Sequence, residues 1–265
     1  MRMGIVILVV SFTALTSSGE GIKVATVRSW GDPAWGELQI LSELNNHWSS
    51  YGTTPLTIDT SLHTVSSFTY EDLVRTGADV LWLSDSAGGG NNFSSAEKDA
   101  IKLYVQQGHS IFGTFAVFQH PNGQDNRALA PLFGLKSDLD YVGNTGPFNS
   151  TAFNILVQSS LFGNVPNPYV SAGFPYGFVP SNDRRWDSGD LAGAQFMAKT
   201  SDNYGVITWY HTASYQAVYV SEMVEYNSYS NRADAQFLYN VFTTTPEPAT
   251  ILLFTLGGMI LRRSR

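Results

Sequence analysis

The run Asp79-Val-Leu-Trp-Leu-Ser-Asp85 sets the narrowest limit on what this chain can become. Its four successive apolar residues leave no polar face, so a strand here must be covered on both sides. Strands of that kind belong to parallel sheets flanked by helices, because a parallel connection needs a crossover. The surrounding sequence supplies both parts. "IKVATV" (Ile22–Val27) and "PLTIDT" read as short strands. Between them, Leu38, Leu41, Leu44 and Trp48 recur at three- and four-residue steps, which predicts an amphipathic helix ending near Gly52. "YEDLVRTG" is a brief helix closed by Gly77. Ser94-Ser95-Ala96-Glu97 fits a capping box, opening a helix whose apolar face carries Ile101, Tyr104 and Val105 and which stops at Gly108. "HSIFGTFAVF" is the next strand, and "NRALAPLFGL" a short helix broken by Pro131. Alternation of this kind implies a doubly wound, flavodoxin-like, mostly parallel α/β sheet over residues 22–245.

Residues 136–190 read differently. Gly, Pro, Asn, Ser and Asp dominate, so loops and short strands are expected there as a loop-rich insertion in the same domain. Three strands follow, "AQFMAK", "GVITWYH" and "QAVYVSEM". A final helix, "RADAQFLYNVF", puts Ala235, Leu238 and Phe242 on one face.

The order of these pieces resembles the class I glutamine amidotransferase-like fold, in its degenerate and trehalose-utilisation-type branches. The stretches that carry the likeness are "ADVLWLSD", "FSSAEKDAIKLYVQQGHSIFGTF", "NRALAPLFGL" and "QAVYVSEMVEY" leading into "AQFLYNVF". In that family the strand before the elbow delivers a cysteine, and a His-x-Glu follows the last strand. Here the elbow reads Thr114-Phe115-Ala116 and the last strand ends in Ser221-Glu222-Met223. The chain has no cysteine at all. Amide hydrolysis of the family's kind needs a thiolate paired with an imidazole, so the resemblance implies the fold without the glutaminase.

The absence of cysteine also excludes disulfides and thiolate metal sites. The Gly-x-Ser-x-Gly elbow, the Gly-x-x-x-x-Gly-Lys phosphate loop and the His-Glu-x-x-His zinc motif are missing, and no cofactor is expected. "AGGGNN" lacks the third glycine and the spacing of a dinucleotide loop and reads as a loop. Net charge is −7, and it deepens when the arginines at the two ends are set aside. The chain therefore lacks the basic footprint that nucleic acid requires.

Open α/β sheets bind ligands beyond the carboxyl ends of their strands. Asp32, Asp85, His120, His211 and Glu222 each lie at or just after the end of an expected strand, and could form a polar pocket for acid–base work or a divalent cation. His47, His63 and His109 are scattered, with surface or hydrogen-bonded core positions expected. Asp183, Asp187 and Asp190 are oxygen ligands of the kind calcium takes, but Arg184 and Arg185 intervene and a solvated loop accounts for them as well. Trp30, Trp35, Tyr176 and Trp186 could stack on sugar rings or belong to the core.

The two ends read as addresses. Arg2, the apolar run from Met3 to about Leu15 and the small residues after it follow the layout of a secretory signal over residues 1–21. At the other end, residues 246–265 hold Pro246-Glu247-Pro248, a 13-residue apolar stretch from Ala249 to Leu261, and Arg262, Arg263 and Arg265. As a helix that stretch spans about 20 Å against a hydrocarbon core of about 30 Å. It suits transient membrane contact with its arginines on the cytoplasmic side. The three-part pattern resembles the PEP-CTERM sorting signal. The resemblance implies recognition by exosortase, a membrane protease or transpeptidase of Gram-negative bacteria that make exopolysaccharide. The expectation is an exported envelope or extracellular-matrix protein. It would pass the secretion translocon and an inner-membrane intermediate, its mature domain a non-catalytic binding module, with extracellular polysaccharide as a partner. The alternative is a carbohydrate-active or other hydrolase using the polar pocket at the carboxyl edge of the sheet.

Overall fold

A computed structural model describes residues 21–27, 37–83, 93–118, 126–137, 152–171, 191–200, 205–221, 224 and 232–244. The terminal segments 1–20 and 246–265 lie outside the described residues. So do Asp32, Asp85, His120, Glu222, Asp183, Asp187 and Asp190, and the aromatic residues Trp30, Trp35, Tyr176 and Trp186.

Nine strands form one mixed sheet. In chain order they are β1 (Ile22–Val27), β2 (Leu56–Leu62), β3 (Val80–Leu83), β4 (Ser110–Thr114), β5 (Ala152–Ile155), β6 (Tyr169–Val170), β7 (Gln195–Thr200), β8 (Gly205–His211) and β9 (Gln216–Val220). Across the sheet the order is β2-β1-β3-β4-β9-β8-β7-β5-β6. The first five are mutually parallel, and from β9 outward every pair is antiparallel. The α/β class read from the sequence holds, with an antiparallel extension of four strands on one side.

The helices are α1 (Glu37–His47), α2 (Tyr70–Thr76), α3 (Ser95–Gln106) and α4 (Arg232–Thr243). They cover both faces. Ile40, Leu41 and Leu44 of α1 and Ala235, Leu238 and Phe242 of α4 join Val24, Trp82, Phe112 and Val218 in one core layer. Leu73 of α2 and Ile101, Tyr104 and Val105 of α3 join Leu81, Ile111 and Tyr219 in the other. Adjacent residues of β3 and β4 thus enter opposite layers, as the pleat requires. All four residues of β3 are buried. Trp82 lies with its ring centroid 5.6 Å from Phe112 and 5.4 Å from Phe242. Aromatic contacts of that kind add about 0.5–1.5 kcal/mol each beyond the area they bury.

Local signals fix the helix ends. Ser94 Oγ accepts from Glu97 N at 3.2 Å and Glu97 Oε2 accepts from Ser94 N at 2.7 Å, the capping box expected from the sequence. Thr69 and Asp72 build a second one at α2, and Gly77 closes that helix at φ 60°. The segment Arg127–Phe133 forms a tight 3-10 helix that continues through Pro131 rather than breaking there. It ends at Gly134, φ 64°, where a Cβ would sit 2.7 Å from the Ala194 backbone nitrogen. Only glycine fits there without moving the chain.

Candidate functional site

The carboxyl ends of the five parallel strands come together as one edge. Val27 lies opposite Leu62, Thr26 opposite Trp82, Leu83 opposite Gly113 and Thr114 opposite Val220. The segments that hold Asp32, Asp85, His120 and Glu222 begin from these ends, and the four residues themselves lie outside the described set. Among its described residues the edge also carries buried polar side chains. Thr26, His63, Thr114 and Ser221 are each no more than 3% exposed.

Thr26 Oγ1 and His63 Nδ1 share a hydrogen bond of 2.9 Å. His63 is a strand-end histidine that the sequence pattern leaves among the scattered ones. The reason is local: β2 continues to Leu62, two residues past the "PLTIDT" stretch, so His63 follows the strand directly. The signal available in the sequence is that the alternation of β2 extends through Ser61 and Leu62.

His211 is not at this edge. It closes β8 as expected, but β8 runs antiparallel to β9 and pairs His211 with Gln216, the first residue of β9. It therefore occupies the amino edge of the parallel strands, away from the expected pocket, and it is exposed. Beside it, Trp209 Nε1 donates to Gln216 Oε1 at 2.9 Å. The sequence does not state strand direction, and the rule about carboxyl ends applies only to the parallel part.

His109 also lies at the amino edge, just before β4. Its ring stacks on Tyr104 at 3.9 Å with an interplanar angle of 10°. His109 Nδ1 and Tyr104 Oη both donate to the Ala78 carbonyl, at 2.9 and 2.5 Å. Burial pulls the imidazole below its ordinary value, against the Ala78 bond and the Asp79 charge. Burial likewise pushes Tyr104 up to about 12. His47 is exposed and pairs with Glu43 at 2.8 Å, and Glu43 also accepts from Tyr51 Oη at 2.8 Å. Those two bonds, His47 first, hold the Glu43 carboxyl below its usual range.

Where the amidotransferase-like elbow would be, β4 passes directly from Thr114 into a 3-10 turn over Phe115–Phe118. No thiol stands in this corner. Among the described residues, no three His, Asp or Glu side chains gather to hold a metal ion, and no helix is long and apolar enough to cross a membrane.

No protein-family model matches the chain, and a search of characterised proteins finds no match. Solved structures do match. A ThuA-like protein from Bacteroides uniformis superposes with a TM-score of 0.54 at 16% identity, over 84% of this chain and 89% of its own. A cytoplasmic protein from Salmonella typhimurium LT2 reaches 0.55 at 12% identity, over 85% of this chain and 100% of its own. The glutaminase domain of Trypanosoma brucei CTPS aligns at 14% identity over 82% of this chain and 92% of its own, with a TM-score of 0.46. Helices on both faces of a mixed sheet with a parallel half give this chain a flavodoxin-like α/β fold, the fold it shares with the ThuA-like protein.

Proposed function

We propose that this is an exported protein of the envelope or extracellular matrix, sorted by exosortase through residues 246–265, whose α/β domain is a binding module without glutaminase chemistry. One observation carries the non-catalytic part. The corner after β4 reads Thr114-Phe115-Ala116 in a chain with no cysteine, so the nucleophile of glutaminase chemistry is missing. The sorting part is supported by Pro246-Glu247-Pro248, the apolar stretch behind it and the closing Arg262, Arg263 and Arg265. In sequence terms, a proline disfavours helix at the residue before it, so Pro246-Glu247-Pro248 favours the extended form that a processing enzyme can grip. The apolar stretch is short for a bilayer, which favours transient engagement over permanent anchoring. The secretion translocon and exosortase are the partners of this route, and extracellular polysaccharide is the ligand class proposed for the mature domain.

The test is expression in a host with and without exosortase, followed by intact mass of the exported product. Processing in the first host alone is expected. An identical, full-length tail in both hosts removes the sorting proposal. The exported product is then screened on an array of bacterial polysaccharides and assayed for glutamine hydrolysis. Binding without ammonia release is the expected result, and ammonia release overturns the non-catalytic reading.

A further inference from the structure

The outer edge of β2 is the open end of the parallel half. Among the described residues no strand lies beyond it. Its backbone groups can be assigned a direction. Ile22 N donates to Pro55 O, and Ile22 lies opposite Leu56, Lys23 opposite Thr57 and Val24 opposite Ile58. In a parallel pair the bonding residues alternate, so Pro55, Thr57 and Asp59 face β1 while Leu56, Ile58 and Thr60 turn outward.

The outward N–H at the centre of this edge is occupied. Ile58 N donates to Asn45 Oδ1 at 3.0 Å, from a side chain in the last turn of α1. Asn45 is held in turn: its Nδ2 donates to Asn46 Oδ1 at 3.4 Å, and Asn46 Nδ2 donates to Ser42 Oγ at 3.1 Å. Further along, Ser61 N donates to Asp59 Oδ1 at 2.9 Å and His63 N donates to Thr60 O at 3.0 Å. Of the outward N–H groups in the regular part of β2, that of Ile58 is thus met by a side chain from outside the strand.

We propose that Asn45 is a guard on this edge: it occupies the Ile58 N–H that a second copy of the chain would need in order to add its own β2. The occupant excluded is a second copy because two identical strands pair antiparallel about a two-fold axis, each presenting the same groups to the other. On the strand itself charge does not oppose that pairing: the acid of β2, Asp59, is already paired with Lys23 Nζ at 3.2 Å. An open edge of this kind is a template for strand addition, and proteins close such edges with local devices. Here the device is one amide.

The experiment uses the full chain in a concentration series by size-exclusion chromatography with light scattering. Asn45→Ala is expected to lower the midpoint concentration for self-association about tenfold, one hydrogen bond being freed in each copy. Asn45 is exposed near a helix end and alanine favours helix, so folding is retained. Asn45→Asp keeps an acceptor oxygen and is expected to behave as the parent. Asn45→Ala/Thr57→Lys places a charge on the same strand from an exposed position and is expected to restore the parent's behaviour. Amide exchange at Ile58 is expected to quicken in Asn45→Ala alone. The proposal is overturned if Asn45→Ala associates no more than the parent, if Asn45→Asp associates as Asn45→Ala does, if the lysine fails to reverse the association, or if Ile58 exchange does not change.

Discussion

Tyr169 donates its phenolic hydrogen to the Asp234 carboxylate, joining the outermost antiparallel strand to the first turn of α4 across 65 residues of sequence. Both residues are wholly buried. Around the bond, the Tyr169 ring lies 5.5 Å from Phe153 and 5.4 Å from Phe237. Asn240, one face along the same helix, donates to the carbonyls of Leu161 and Gly163 at 3.1 and 2.7 Å. These contacts attach the β5–β6 elaboration to the helix that covers the core over Trp82 and Phe112.

Tyr169→Phe keeps the ring and deletes the donor. Removing one partner of a buried polar pair costs about 1–3 kcal/mol. Denaturant unfolding should register that loss with an unchanged slope. A loss under about 0.5 kcal/mol, the scatter of surface substitutions, would mean the bond carries no stability.

His109 makes the fold sensitive to acid. Its imidazole is held below the ordinary 6.5, with burial the largest cause, so the unfolded chain takes up a proton more readily. The stability this group contributes is present above pH 6.5 and is lost as pH falls from there through the depressed folded value. His109→Phe preserves the stack on Tyr104 and removes the titration. A stability–pH curve from 8 to 5 should flatten in that variant, and a curve of unaltered steepness would contradict the assignment.

At the other end of the scale, three tyrosines resist ionisation. Tyr51, Tyr104 and Tyr215 are each pushed from 10 up to about 12, burial being the first cause in every case. A raised folded value means stability is intact below pH 10 and drains away as pH climbs toward 12. Ultraviolet titration should show a late tyrosinate fraction coinciding with alkaline unfolding. A single transition near 10 in the folded protein would refute this.

Gly134→Ala tests the turn after the 3-10 helix. It forces an L-residue to φ 64° and brings a Cβ against backbone at Ala194. The conformational term alone costs about 1–3 kcal/mol, and the contact adds to it. Thermal unfolding would show the loss; a melting temperature equal to the parent's would show that the backbone yields freely.

Local chemistry made much of this fold legible before any coordinates. The four apolar residues of β3, the Ser94–Glu97 box and Gly77 each state a rule that acts within a few residues, and each is realised as read. Direction is where legibility ends. Nothing in "GVITWYH" says that the strand runs opposite to its neighbours, so His211 is expected at one edge and found at the other. His63 is the hydrogen-bonded core histidine that the sequence allows, buried against Thr26, but its place at a strand end is set by the pairing of Leu62 with Val27, a tertiary fact. The Tyr169–Asp234 bond is equally invisible, since no periodicity links a loop-rich stretch to a helix 65 residues away.

The middle of the sheet is closed by β9 slotting between β4 and β8, with Ser110 and Gln216 bonded across 106 positions. Until that late strand has been synthesised, one flank of β4 stays unzipped and the hydrophobic layers beneath it stay wet. Loop closure over such a distance is slow and must precede any gain from the contacts it makes. Assembly of this molecule is therefore timed from its last quarter, and a ribosome stalled before Gln216 would hold a chain with four of its parallel strands made and no means of finishing the sheet.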